Sequence, residues 1–131
     1  MKVNLAPLVS NAALAFRGYN VTNLGRSSEL LGHEIYGPTV EEFLRQGSEI
    51  CAAVIGRPVD LVKRVRDQRE AGLEDYAEAI SLIVAMELAH LELLEKFHCI
   101  DYRQARVSAG FSLGEISALV AGGVFSMKHA L

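Results

Sequence analysis

The sequence has few cysteines and no long apolar run, and each absence excludes a class of protein. Only Cys51 and Cys99 occur among its 131 residues, and their separation fits neither a metal-ligand spacing nor a disulfide framework. We therefore expect two buried, reduced thiols and a cytoplasmic location, because reduced cysteines are typical of a reducing compartment. No apolar run approaches the roughly 20 residues of a membrane helix, so no membrane partner is expected.

The chain also lacks an excess of charge of one sign. Its 13 basic and 16 acidic residues give a formal net charge of −3, which gives no reason to expect a nucleic acid as partner. Half of the residues are hydrophobic and 22% are charged, a balance that is typical of folded chains. The length alone supports one ordinary domain.

Hydrophobic patterning predicts alternating strands and helices, which indicates an α/β fold. The apolar residues 12–16 are expected to form a buried strand, and the Gly-, Asn- and Ser-rich residues 17–28 a loop. A Thr-x-x-Glu capping box at Thr39 predicts the start of a helix that ends at Gly56. A second helix is expected over residues 59–69, with a solvated face of interleaved acids and bases.

The longest helix is predicted over residues 74–97. Its polar positions form one narrow stripe, so we expect it to be buried on most of its circumference; they are Glu74, Glu78, Ser81, Glu92 and Glu95. Glu87 projects opposite this stripe, and a buried carboxylate needs a hydrogen-bonding partner in the core or at its edge. Glu87 and His90 have the spacing of a di-iron motif, but that site needs a second such pair. The chain has none, so no metal is expected.

The strongest chemical signal is a Gly-x-Ser-x-Gly pattern with Ser112 at its centre. It lies in a predicted strand–turn–helix unit at residues 105–122, the context of a nucleophile elbow. In an elbow the serine stands in a sharp, strained turn, and Gly110 and Gly114 leave out side chains that would collide there. Ser112 is then the nucleophile, and the backbone N–H of Leu113 is one donor to a developing oxyanion.

The same residues also have a purely structural interpretation. A glycine-rich turn into a helix would place Ser112 at the N-cap, where its hydroxyl accepts a hydrogen bond from the first turn. Gly122 and Gly123 would end that helix, and Ser126 would cap a last one over residues 127–131.

The residues around the elbow resemble one family. Residues 109–124 read AGFSLGEISALVAGGV and closely resemble the active-site segment of malonyl-CoA:acyl carrier protein transacylases. They are equally similar to the related acyltransferase domains of fatty acid and polyketide synthases. Upstream, residues 12–19 resemble the family's first strand and the start of its glycine-rich loop. Residues 24–26, Leu-Gly-Arg, resemble the Met-Gly-basic sequence that follows that loop in the family. Residues 80–97 resemble the helix before the elbow.

The resemblance implies a partial α/β-hydrolase-like acyltransferase core of parallel strands flanked by helices. It implies transfer of a malonyl or related acyl group from coenzyme A, through an acyl-serine at Ser112, to the phosphopantetheine thiol of an acyl carrier protein. Malonyl-CoA is then the substrate, the carrier protein the partner, and no bound cofactor is implied. The family's second oxyanion donor is a backbone N–H in the loop after the first strand, and by position it falls on Tyr19.

The sequence departs from the family pattern at several positions. Phe111 stands where many members have a histidine, and Glu78 where a glutamine is expected. The loop at Tyr19 lacks the family's second glycine. The family's general-base histidine, its carboxylate-binding arginine and its small ferredoxin-like subdomain have no counterpart here, and His129 does not match the base. The resemblance thus implies the N-terminal part of a catalytic domain over residues 1–131, inactive alone at this length.

Two other functions stay open at the level of sequence. A serine hydrolase of the α/β-hydrolase type would share the elbow but release the acyl group to water. Glu115 and the tail of residues 117–124 favour the acyltransferase over it. A pseudoenzyme or docking module would keep the fold without the chemistry, and the altered loop at Tyr19 favours this alternative.

Overall fold

The computed structural model describes residues 4–19 and 22–130. The helices and strands of these residues are, in chain order, β1 (Ala13–Phe16), α1 (Leu24–Leu31), α2 (Gly37–Ile55), α3 (Leu61–Arg66), α4 (Tyr76–His98), β2 (Val107–Gly110), α5 (Gly114–Ala121) and α6 (Met127–Ala130). Short 3₁₀ turns precede β1, α4 and β2, at Ala6–Asn11, Leu73–Asp75 and Tyr102–Gln104.

The two strands β1 and β2 pair in parallel, with Ala13 opposite Val107 and Phe16 opposite Gly110. Parallel neighbours require a crossover connection, and here the crossover contains α1 to α4. The expectation of a buried strand over residues 12–16 is wrong. Leu14 and Phe16 are half-buried against the helical core, whereas the alternate residues of both strands are exposed. The structure thus confirms the coarse expectation of parallel strands flanked by helices.

The core is centred on the contact between α2 and α4. Its completely buried side chains include Val40 and Leu44 of α2, Leu61 of α3 and Leu88 of α4. Most residues between Glu78 and Leu93 in α4 are buried, which confirms that this helix is covered on most of its circumference. In the described residues, no helix is long and apolar enough to cross a membrane.

The expected solvated face of the charged helix is wrong for Arg64, which is only 1% exposed. Its guanidinium donates to Glu78 at 2.5 Å, to Asp75 at 2.8 Å, and to the carbonyls of Arg69 and Glu70 at 3.2 Å. Glu78, predicted on the polar stripe of α4, is itself 3% exposed. The charges of Arg64 and Glu78 can be buried together because the guanidinium donates hydrogen bonds to the carboxylate.

Two helix starts differ from the sequence prediction. Helix α1 begins at Leu24, inside the predicted loop, because Leu24 and Leu31 bury their side chains in the core. Helix α2 begins at Gly37, ahead of the predicted capping box, since Pro38 in its first turn favours helical geometry. The hydroxyl of Thr39 makes no cap, and instead accepts a hydrogen bond from Lys96 of α4 at 3.3 Å.

Of the remaining helix boundaries, the end of α2 and the start of α6 lie close to expectation and those of α3 do not. Helix α2 ends at Gly56, whose φ of 70° makes it a left-handed C-cap. Helix α3 is shorter than predicted, with Asp60 accepting from the N–H of Lys63 at 2.8 Å as its N-cap. Helix α6 follows Ser126 at the predicted position, and the hydroxyl of Ser126 pairs with the ring of His129 at 2.8 Å. The last predicted residue, Leu131, lies outside the described residues.

The cysteine prediction is half correct. Both thiols are free and Cys51 is buried, but Cys99 is exposed. Cys99 has a φ of 55° at the C-cap of α4, where the chain leaves the helix at the surface. Its side chain therefore has no core to enter.

Candidate active site

Ser112 occupies the turn between β2 and α5 with a φ of 54°. An L-residue with a side chain other than that of Asn, Asp or His is uncommon in this left-handed region, which costs it about 1–2 kcal/mol. Strain of this kind concentrates at functional sites, where the surrounding structure maintains it. Ser112 is also exposed, so its hydroxyl is accessible at the end of the parallel sheet.

Two glycines make this sharp turn sterically feasible. A β-carbon at Gly110 would collide with the carbonyl oxygen of Gly114, and one at Gly114 would collide with the carbonyl oxygen of Phe16. The helix α5 therefore approaches both strands more closely than any side chain would allow. This is the role that the sequence motif assigns to its flanking glycines.

The alternative of Ser112 as a side-chain N-cap is wrong. The N-cap of α5 is Leu113, and no side chain accepts a hydrogen bond from the helix start. The backbone carbonyl of Ser112, rather than its hydroxyl, accepts from the N–H of Glu115 at 3.0 Å. The serine side chain is therefore left for another role.

The N–H of Leu113 is available at the start of α5. The next three N–H groups donate to carbonyls three residues earlier, at 3.0, 3.0 and 3.2 Å; they belong to Gly114, Glu115 and Ile116. Within the part of the chain that the structure describes, the N–H of Leu113 donates to no backbone carbonyl. It lies beside the serine, as an oxyanion donor must.

The loop after β1 packs directly on the elbow. A β-carbon at Gly18 would lie 2.8 Å from the carbonyl oxygen of Phe111 and 3.2 Å from the Cβ of Ser112. The N–H of Phe111 donates to the carbonyl of Phe16 at 3.1 Å. The fold thus brings the start of the predicted oxyanion loop to the predicted nucleophile. Tyr19 follows Gly18 in this loop, and the next predicted loop residue, Asn20, lies outside the described residues.

Two contacts that the sequence did not reveal join this part of the chain to residues near the start of α4. The ring of Tyr19 lies against that of Tyr76, with centroids 4.6 Å apart. Beyond the loop, the buried hydroxyl of Thr22 donates to Glu70 at 2.5 Å. Both partners precede or begin α4 and are far from the loop in sequence, so no local pattern could have indicated them.

Glu87 has the partner that the sequence predicted for it. Its carboxylate accepts a hydrogen bond from the hydroxyl of Ser117 in α5 at 2.6 Å. Burial raises the pKa of Glu87, while the Ser117 hydroxyl and the charge and backbone N–H of Arg17 act to lower it. Glu87, Arg17 and His90 line a cavity of about 390 Å³ beside β1.

None of the four histidines bonds to Ser112 within the described residues. The hydrogen bonds that their ring nitrogens make go to other residues. His129 pairs with Ser126 at 2.8 Å, His90 with the carbonyl of Met86 at 2.6 Å, and His98 with the hydroxyl of Tyr36 at 3.1 Å. His33 accepts from the N–H groups of Ile35 and Tyr36. Residues 4–19 and 22–130 also contain no group of three side chains able to hold a metal ion.

Comparisons with protein-family models, with curated proteins and with solved structures found no match in any of the three. The local geometry of the elbow and of the loop packed on it is therefore the basis for assigning a function.

Proposed function

We propose that the chain carries the nucleophile of a serine acyltransferase with an α/β-hydrolase-like core. Its substrate is malonyl-CoA or a related acyl-CoA, and its acceptor is the phosphopantetheine thiol of an acyl carrier protein. The observation that carries the proposal is the strained Ser112, with a φ of 54°, between a parallel strand and a helix. The close approach of Gly18 to Ser112 supports it.

The reaction proceeds in two halves. Ser112 Oγ attacks the thioester carbonyl, its proton passes to a base, and the carbonyl oxygen becomes an oxyanion. Collapse of this intermediate breaks the C–S bond and releases coenzyme A, whose thiolate takes up the proton. The carrier thiol then attacks the acyl-serine in the same way and regenerates the free hydroxyl. Splitting one transfer into two steps in this manner is typical of covalent catalysis.

Backbone N–H groups would stabilise the oxyanion at two points. Leu113 supplies one from the start of α5, where the helix dipole also favours negative charge. The loop after β1 supplies the other, at Tyr19. Removal of one oxyanion-hole donor typically costs about 10²–10³ in rate, so the position of this loop is central to the proposal.

The proposal requires a general base for the hydroxyl of Ser112, because an unactivated serine is a weak nucleophile. The described histidines have other partners. Because no histidine in the described residues is hydrogen-bonded to Ser112, a docking module with the fold but not the chemistry is the second candidate function. The resemblance of residues 109–124 to acyltransferases favours transfer over hydrolysis.

The test compares transfer with hydrolysis in the protein that the complete reading frame encodes. The protein is incubated with malonyl-CoA and holo acyl carrier protein, and malonyl-carrier and free malonate are quantified. We expect malonyl-carrier to exceed free malonate, and the Ser112→Ala variant to form neither above background. Free malonate alone would indicate a hydrolase, and carrier binding without any acyl transfer would indicate a docking module.

A further inference from the structure

Glu87 of α4 lies near both α5, the helix that follows Ser112, and the loop after β1. On one side its carboxylate accepts the hydrogen bond of Ser117 at 2.6 Å, and Ser117 is completely buried in α5. On the other side it lines the same cavity as Arg17, the residue before Gly18. Gly18 in turn packs on Ser112. One side chain of α4 therefore hydrogen-bonds to α5 and shares a cavity with the loop after β1, where the charge and backbone N–H of Arg17 act to lower its pKa.

A carboxylate is a costly choice at this position. Its neighbours on α4 include the buried Ile83 and Leu91, and an apolar side chain would pack among them without desolvation. Glu87 is half-buried at the wall of the cavity, and its carboxylate gives the completely buried hydroxyl of Ser117 an acceptor. The cost of desolvating this carboxylate is thus offset by a link between α4 and α5.

We propose that Glu87 is a positioning residue that holds α5 and the loop after β1 in register, so that their N–H groups face one oxyanion. The inference rests on the proposed function of Ser112. Glu87 touches no reacting atom, and it acts through Ser117 and Arg17. Its loss should therefore slow acylation while leaving the nucleophile in place.

The decisive variant is Glu87→Leu, with Glu87→Gln as the conservative variant and Glu92→Leu, on the polar side of α4, as the matched control. We expect Glu87→Leu to lose stability, because the buried hydroxyl of Ser117 loses its acceptor, yet to remain folded. It should acylate Ser112 about 10–100-fold more slowly, since displacement of a catalytic group by about 1 Å can cost 10²-fold. The loss should appear in kcat with KM little changed. Glu87→Gln should recover most of the rate, and Glu92→Leu should match the wild type.

A purely structural role would give a different pattern. Folded Glu87→Leu would then acylate Ser112 at the wild-type rate, or Glu87→Gln would be as slow as Glu87→Leu; each of these results would overturn the inference. Ser117→Ala should slow acylation in the same direction, and the double variant with Glu87→Leu should be little slower than Glu87→Leu alone, because the two residues share one link.

A second readout does not depend on activity. The backbone amide signals of Gly18 and Leu113 are followed by NMR in the wild type, Glu87→Leu and Ser112→Ala. We expect Glu87→Leu to shift both signals. Unchanged signals at both positions would contradict the positioning role. If the signals shift but the wild type forms no acyl-enzyme, the link stands and the proposed function fails, so the two failures are distinguishable.

Discussion

Gly18 lies against Ser112 so closely that a β-carbon on the glycine would come within 3.2 Å of the serine Cβ. The same atom would lie 2.8 Å from the carbonyl oxygen of Phe111, a separation that real β-carbons do not adopt. The loop after β1 therefore reaches the nucleophile only because residue 18 has no side chain. This contact adds to the pairing of β1 with β2 and to the hydrogen bond from the N–H of Phe111 to the carbonyl of Phe16.

Replacing Gly18 by alanine should displace this loop from the elbow. We expect Gly18→Ala to destabilise the protein by about 1–3 kcal/mol, the usual cost of forcing a methyl group into a packed site. Gly25→Ala is the matched control, because a β-carbon there meets nothing within 4 Å. That change lies in α1 and should stabilise by up to about 1 kcal/mol. Urea unfolding of both variants provides the measurement, and equal effects would contradict the contact.

The backbone strain at Ser112 should be measurable as stability. Glycine adopts a φ of 54° without steric cost, whereas alanine does not. We expect Ser112→Gly to be more stable than Ser112→Ala by about 1 kcal/mol, despite the entropy that glycine gains in the unfolded chain. Neither variant should be acylated. A Ser112→Gly protein that is less stable than Ser112→Ala would show that the turn is unstrained.

The buried ion pair of Arg64 and Glu78 should dominate the electrostatic contribution to stability. Arg64→Ala leaves Glu78 buried without its main partner, and breaking such a pair typically costs about 3–5 kcal/mol. Arg57 is the control, because it contacts the same carboxylate at 2.6 Å from a side chain that is 47% exposed. Arg57→Ala should cost at most about 1 kcal/mol. Similar losses for the two variants in urea unfolding would refute this ranking.

The raised pKa of Glu87 predicts a definite sign of pH dependence. The folded state binds the Glu87 proton more tightly than the unfolded state does, so this group makes the protein less stable as the pH rises between the two pKa values. Glu87→Gln does not titrate. The stability of the glutamine variant relative to the wild type should therefore increase from mildly acidic to neutral pH. Unfolding free energies over that range test this, and a constant or falling difference would contradict it.

The sequence indicated the elbow because its signals are local. The apolar strand, the two glycines around Ser112 and the start of α5 lie within one short segment, and each element requires a particular residue type. Glu87 could also be interpreted from sequence, since a carboxylate on an apolar face must find a partner. The structure supplied that partner in Ser117.

The rest depends on contacts between distant residues. Thr22 and Glu70 are 48 positions apart, and Thr39 loses its capping role to Lys96, 57 positions away. Arg64 is indistinguishable from its exposed neighbours until the fold places Glu78 beside it. Periodicity and capping rules describe neighbours along the chain, so they could not locate these pairs.

The site of covalent attachment tests the central claim most directly. The protein encoded by the complete reading frame is exposed briefly to malonyl-CoA, quenched in acid, digested and mapped by tandem mass spectrometry. We expect one malonyl group on Ser112, no labelled peptide in Ser112→Ala, and loss of the label when a pantetheine thiol is added before the quench. Absence of any acyl group on Ser112, or equal labelling of Ser112→Ala, would contradict the acyltransferase proposal.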